Sequence, residues 1–456
     1  MRAQACLGLR QGGQALPLAL LVAAAGGLAW LAMSMAGSSA AARSRLTHVA
    51  DAVAYSGALA QARSLNLLAM INRAQIAHQV GMAHLVTLAA WAQHGQAQSG
   101  RVRRGNPPSF LIGMLFGAAY GSAYAAARPG LGGPDGLAQA YARHETVVHD
   151  VLDSARRAIV AELPQARMSA MRQVLAANFQ AAQPGLLPMA DALPAMQLLD
   201  ENLSGFIVSH APSGRGSLRG AVDTAVAPYR FLHPRNRTVR NPWSVSRQCP
   251  WLRHELRRRG DTRMDLEGRW QAHDTLSYHA LRSNRRIGCY FREYPMGWGL
   301  AGTQGGTGGL VHHEDPPEDF SAQDFWRWVR AATDWSLLDG SDNFLANSYA
   351  VRGAAHWPGR GLPGHADLAR SPGGAQSLRL AIRLRLDAVS LRLPGLPASR
   401  AGWHGPAAFA AIDAVQADSA AETYFVRPHA RADGRAEAPS LFHPYWQARL
   451  RPLEQP

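Results

Sequence analysis

Residues 15–37, ALPLALLVAAAGGLAWLAMSMAG, decide the architecture. The run carries no charged side chain. As a helix it is long enough to cross a hydrocarbon layer of about 30 Å. A cleaved secretory signal is the rival reading, with Arg2 and Arg10 as its basic region and Ala36 or Ala42 ending a small-residue cleavage site. Such signals have apolar stretches of roughly 7–15 residues, and this one is longer. A lipidation signal fits poorly, because Cys6 precedes the run. We therefore expect a short leader over 1–13 and a transmembrane helix over 14–37. Arg2 and Arg10 flank one side and Arg43 and Arg45 the other, so charge leaves the orientation open.

The helix has no sequence reason to stop at the membrane. No proline occurs from Leu18 to Asn106, and the segment is rich in Ala, Leu, Gln, Arg and Met, which favour helix. Leu46, Val49, Val53, Leu65, Leu68, Ile71, Ile76 and Val80 recur at roughly helical spacing. This predicts a helical, stalk-like region over 38–128, with Gly57 and Gly81 as places where it can kink. Within it, residues 110–127 form a second apolar helix. Gly113, Gly117 and Gly121 there have the repeated spacing that lets helices approach closely. Its length is marginal for a span, which favours a buried or interfacial helix and leaves a second crossing open.

After a turn-rich joint at 129–136, helix is expected again over about 137–181. Beyond residue 205 tryptophan, tyrosine, glycine and proline increase. Residues 378–386, LRLAIRLRL, alternate apolar and basic side chains with the period of a half-buried strand. Residues 298–310 read as a glycine-rich loop. The fold class is α+β: a long N-terminal membrane-anchored helix, a helical middle region, and a mixed α/β domain over 205–456 with an antiparallel sheet.

Composition narrows the chemistry. Of 456 residues, 47% are hydrophobic and 17% charged, so a packed core is available. The net charge is +15, and every basic side chain apart from histidine is arginine, because the sequence contains no lysine. That excludes a Walker A loop, a lysine Schiff base and a Ser–Lys dyad. The arginines are scattered rather than gathered in a basic stripe, so no nucleic-acid partner is expected. Cys249 and Cys289 are an even pair in the region expected to be exported, and a disulfide between them is expected. Its loop of about 40 residues would contribute roughly 4 kcal/mol in the chain-entropy account.

No catalytic, cofactor-binding or metal-ligating residue is assigned. His144, Glu145 and His149 miss the zinc-protease spacing by one residue, which turns the imidazoles apart on a helix. His312, His313, Glu314 and Asp315 are followed by two prolines and have no spaced partner pair. Residues 338–343, LDGSDN, read as an Asp-Gly turn rather than a metal loop. There is no GxSxG nucleophile elbow.

Two stretches carry a family resemblance. Residues 11–16, QGGQAL, run into the apolar helix, and residues 43–58, RSRLTHVADAVAYSGA, follow it. Arg43, Arg45, Leu46, Ala50, Asp51, Ala52, Ala54, Gly57 and Ala58 match the pattern at the start of TadE/TadG-like proteins of Flp (type IVc) pilus assembly. Residues 441–450, LFHPYWQARL, resemble the end of TadG-like members. The resemblance implies a non-enzymatic, minor-pilin-like or assembly role, a bacterial inner-membrane location with the N-terminus cytoplasmic and the C-terminal part periplasmic, and no cofactor. Pseudopilins and the inner-membrane pilus platform are the partners it implies. Leader cleavage would fall at Gly13. Five residues on, where processed pilins of this type carry glutamate, stands Leu18, a departure that leaves cleavage and entry into the filament open. Gly26, Gly27, Leu46, Val49, Asp51 and Val53 are the expected partner-helix interface; the alternative for the stripe from Leu46 to Val80 is packing on the chain's own globular domain. The alternatives are a membrane-tethered periplasmic hydrolase and a cell-envelope binding module.

Overall fold

The computed structural model describes residues 15–128, 134–180, 193–212, 216–284, 288–303, 333–334, 355–357, 359–369, 377–387 and 414–453. Its organising element is α1 (Ala15–Arg104), one helix of 90 residues. The proline-free sequence lets it run unbroken past both expected kink points. Gly57 instead marks a close approach: a Cβ there would stand 2.6 Å from a methyl of Leu380 and 2.8 Å from the sulfur of Met171.

The other helices are α2 (Ser109–Phe116), α3 (Ala118–Ala125), α4 (Pro134–Thr146), α5 (Asp153–Gln180) and α6 (Ser217–Val226). A π-helical turn, Val147–Leu152, joins α4 to α5. The apolar stretch 110–127 is not one helix. Gly117, at φ 107°, breaks it into α2 and α3, which fold back so that the Gly121 backbone lies against Gly113. The glycine spacing thus serves a close approach inside one short hairpin, and neither eight-residue arm can span a bilayer.

Strands β1 (Ala195–Glu201), β10 (Leu378–Asp387), β11 (Ala414–Phe425) and β12 (Trp446–Arg451) form an antiparallel sheet in that order. Strand β10 has the alternation read from sequence: Leu378, Leu380, Ile382, Leu384 and Leu386 are all buried. A ribbon pairs β2 (Ile207–His210) with β9 (His365–Leu368). A second sheet runs β3 (Arg237–Arg240), β4 (Glu255–Met264), β5 (Trp270–Asn284), β6 (Gly288–Thr303) and β7 (Thr333–Asp334), with β8 (Ala355–Trp357) parallel to β6. Residues 298–303, expected to be loop, belong to β6. Glycine serves close packing there, since a Cβ on Gly299 would meet the carbonyl oxygen of Ala90 at 2.0 Å.

The cores follow one another along α1. Leu46, Val49, Ala50, Val53, Ala54 and Ala58 pack on α5, β10 and β11. Ala62, Leu65 and Leu68 meet β9, β12 and the segment around Leu441. Met82, Ala83, Val86, Ala89 and Ala90 meet α6 and the second sheet. The region 38–128 is therefore not a stalk beneath a separate 205–456 domain. From about Leu46 onward α1 is the spine on which the later strands fold.

Buried amides pin that spine to the sheets. Asn72 Nδ2 donates to the carbonyls of Ala366 at 2.9 Å and Leu441 at 2.7 Å. Gln75 donates to the Gly364 carbonyl, Gln79 accepts from the Trp270 indole, and Gln61 accepts from Thr423. Burying an amide is costly unless it is paired, so each of these bonds fixes the register of a strand against the helix.

Candidate functional site

The first turns of α1 stand outside all of this packing. Ala15–Ser34 is the segment, among the described residues, long and apolar enough to cross a membrane, and none of it is buried. Leu16, Leu18, Leu20, Leu21, Val22, Leu28, Trp30 and Met33 are each between 63% and 75% exposed. Twenty helical residues rise about 30 Å, the thickness of a hydrocarbon core. A helix apolar on every face needs a lipid or helix environment around it, so the segment fits a single-pass anchor.

Gly26 and Gly27 lie on this free segment, with nothing within 4 Å of where a Cβ would stand. Leu46, Val49 and Val53 do not share that freedom. They are 0%, 4% and 0% exposed, occupied by the protein's own α5 and first sheet. Asp51 accepts a hydrogen bond from Ser419 Oγ at 2.6 Å. The expected partner interface is thus corrected: its upper half is intramolecular core, because the helical apolar stripe meets β10 and β11 of the same chain. Of the expected interface, the part at Gly26 and Gly27 is open.

Cys249 and Cys289 are joined by a disulfide, with Cα atoms 6.1 Å apart. It lies in a small cluster with Leu281 and Phe291. His144 and His149 face different elements: His144 Nδ1 meets His78 Nδ1 on α1 at 2.9 Å, while His149 Nε2 meets the Gly361 carbonyl at 3.1 Å. Gly13, the 312–315 cluster and the 338–343 turn lie outside the described residues.

The structure also assembles a polar cluster that no spacing in the sequence flagged. In the β2–β9 ribbon His210 stands directly opposite His365, and Asp367 follows two residues later on the same face. The two imidazoles stack with centroids 4.7 Å apart and planes 20° apart. Ser217, the first residue of α6, donates to Asp367 Oδ2 at 2.5 Å and lies 3.0 Å from His365 Nε2. Burial holds the His365 imidazole down to about 4, helped by neighbouring His210 and Arg156, so it is neutral. This is not a serine-protease arrangement, in which the acid orients the histidine and the histidine takes the serine proton. Here the carboxylate holds the hydroxyl itself. The alternation His-Ala-Asp at 365–367 was readable as one strand face, but its partner at 210 comes from a long-range pairing.

A cleft of about 650 Å³ lies between α1, the α2–α3 hairpin and the second sheet, lined by Trp91, Tyr120, Tyr124 and Met296 among others. The Arg237 and Arg258 guanidiniums sit 5.4 and 5.7 Å from the Tyr120 and Trp91 ring centroids. Arg258 also pairs with the buried carboxylate of Asp274 at 3.4 Å.

Comparison with family models, curated proteins and solved structures finds no match. The likeness to TadE/TadG-like proteins therefore rests on the residues quoted for it.

Proposed function

We propose that the protein is a structural component of Tad/Flp (type IVc) pilus assembly, anchored in the bacterial inner membrane by the start of α1, with its globular body on the periplasmic side. The observation that carries this reading is the continuity of α1. One helix begins as a fully exposed apolar rod and becomes, without a break, the packed spine of the body. A mere tether needs no such continuity, and a flexible linker would serve it. In a rigid rod, a displacement or rotation imposed on the membrane segment by a neighbouring helix moves the body with it. The match at residues 43–58 supports the family, and the disulfide suits an oxidising compartment. Pseudopilin helices and the inner-membrane platform are the proposed partners, met through the Gly26–Gly27 surface, where absent side chains allow close helix approach. Deletion of the gene tests the reading. Surface pili and adherence should be lost and then restored by the wild-type copy, whereas full piliation in the deletion strain contradicts it.

A further inference from the structure

We propose that His210, His365 and Asp367 form a binding site for a divalent transition-metal ion, with zinc the best fit to the donor set. Two imidazoles and one carboxylate are a donor combination suited to zinc, and three protein ligands leave a fourth position for water. The strand geometry supplies the convergence. His365 and Asp367 share a face of β9 because side chains alternate, and antiparallel register sets His210 beside His365. One donor atom from each of the three residues lies within 4.8 Å of the others. Around a tetrahedral zinc such atoms stand about 3.3 Å apart, so the three side chains draw together when the ion binds.

The surroundings leave the carboxylate available to a cation. His365 is 2% exposed. The nearby Arg156 guanidinium is matched by Asp153, at 2.8 Å. Asp367 accepts from the Ser217 hydroxyl and the Leu368 amide, and among the described residues it joins no salt bridge, so its charge is not committed to an arginine. Ser217 holds His365 and Asp367 together from the start of α6. The ion would clamp β2 to β9, segments that the chain separates by more than 150 residues. The pilus proposal does not depend on this site, and either can fail alone.

The test uses the full-length protein in detergent, stripped with chelator and then exposed to zinc sulfate. One equivalent of zinc should remain after dialysis, and cobalt(II) in its place should give the visible absorption of a four-coordinate nitrogen–oxygen site. His210→Ala and Asp367→Asn should each lose the equivalent, while His312→Ala/His313→Ala and His78→Ala keep it. On the wild-type chain, zinc should also protect His210 from diethyl pyrocarbonate, a reading that needs no variant to fold. Substoichiometric zinc in the wild type, unprotected His210, or loss of the metal in His312→Ala/His313→Ala instead would each overturn the proposal.

Discussion

The indole N–H of Trp270 donates to Oε1 of Gln79 at 2.9 Å, and both residues are buried. A residue in the second sheet is thereby fixed to the helix whose first turns are long and apolar enough to cross a membrane. Gln79→Met leaves the indole without its acceptor and should lower stability by about 1–2 kcal/mol. Denaturant unfolding in detergent, followed by tryptophan fluorescence, measures it. Adding Trp270→Phe should recover part of the loss, and simple additivity of the two substitutions would show that the pair is not coupled.

Gly299→Ala should be among the most damaging single changes. Its Cβ would meet the Ala90 carbonyl oxygen at 2.0 Å and the His94 amide nitrogen at 2.7 Å, with backbone on both sides. A cost of at least about 3 kcal/mol follows, because neither partner can rotate away. Gly26→Ala meets nothing and should change stability by less than about 0.5 kcal/mol. Thermal unfolding of the two variants side by side checks the contrast.

Acid should weaken the body through its buried histidines. Burial, with Arg258 nearby, holds His94 down to about 3; burial, with Arg263 and Arg235, does the same for His273. In the unfolded chain both titrate near 6.5, so between about 3 and 6.5 the unfolded state binds more protons. Stability is then full above about pH 6.5 and falls on acidification, by about 1.4 kcal/mol per pH unit for each histidine. Denaturant midpoints at pH 7 and pH 5 read this, and His94→Gln should flatten the dependence. A midpoint unchanged between the two pH values would contradict the assignment.

Thiol labelling of denatured, unreduced protein should modify Cys6 alone, with Cys249 and Cys289 reacting only after reduction. Full labelling of both without reductant would remove the bond and weaken the case for export.

The long helix and strand β10 were legible because each follows from a local rule: no proline over 89 positions in the one, strict alternation in the other. What that helix packs against was not legible. From Asn72 onward its most buried positions include Asn72, Gln75, Gln79, Thr87, His94 and Gln98, and a hydrophobic count passes over them. Hydrogen bonds to distant segments make Asn72, Gln75 and Gln79 core residues, and the partners lie up to 369 residues away in sequence. The same holds for the His210 cluster, whose geometry exists only once β2 and β9 pair. Residues 110–127 misled for a different reason: glycine spacing looks alike whether two separate helices approach or one chain folds back on itself.

The proposed role makes the free first turns of α1 a partner surface in pilus assembly. Gly26→Leu/Gly27→Leu tests it most directly. The pair keeps the hydrophobicity needed for insertion, touches nothing in the folded body and adds bulk where close approach is proposed. The measurement is piliation of a deletion strain complemented with the variant, together with recovery of pilus-assembly components on its affinity purification. The variant should reach the membrane at normal abundance, with both pili and co-purification lost. Wild-type piliation and wild-type recovery of partners would show that the helix is only an anchor.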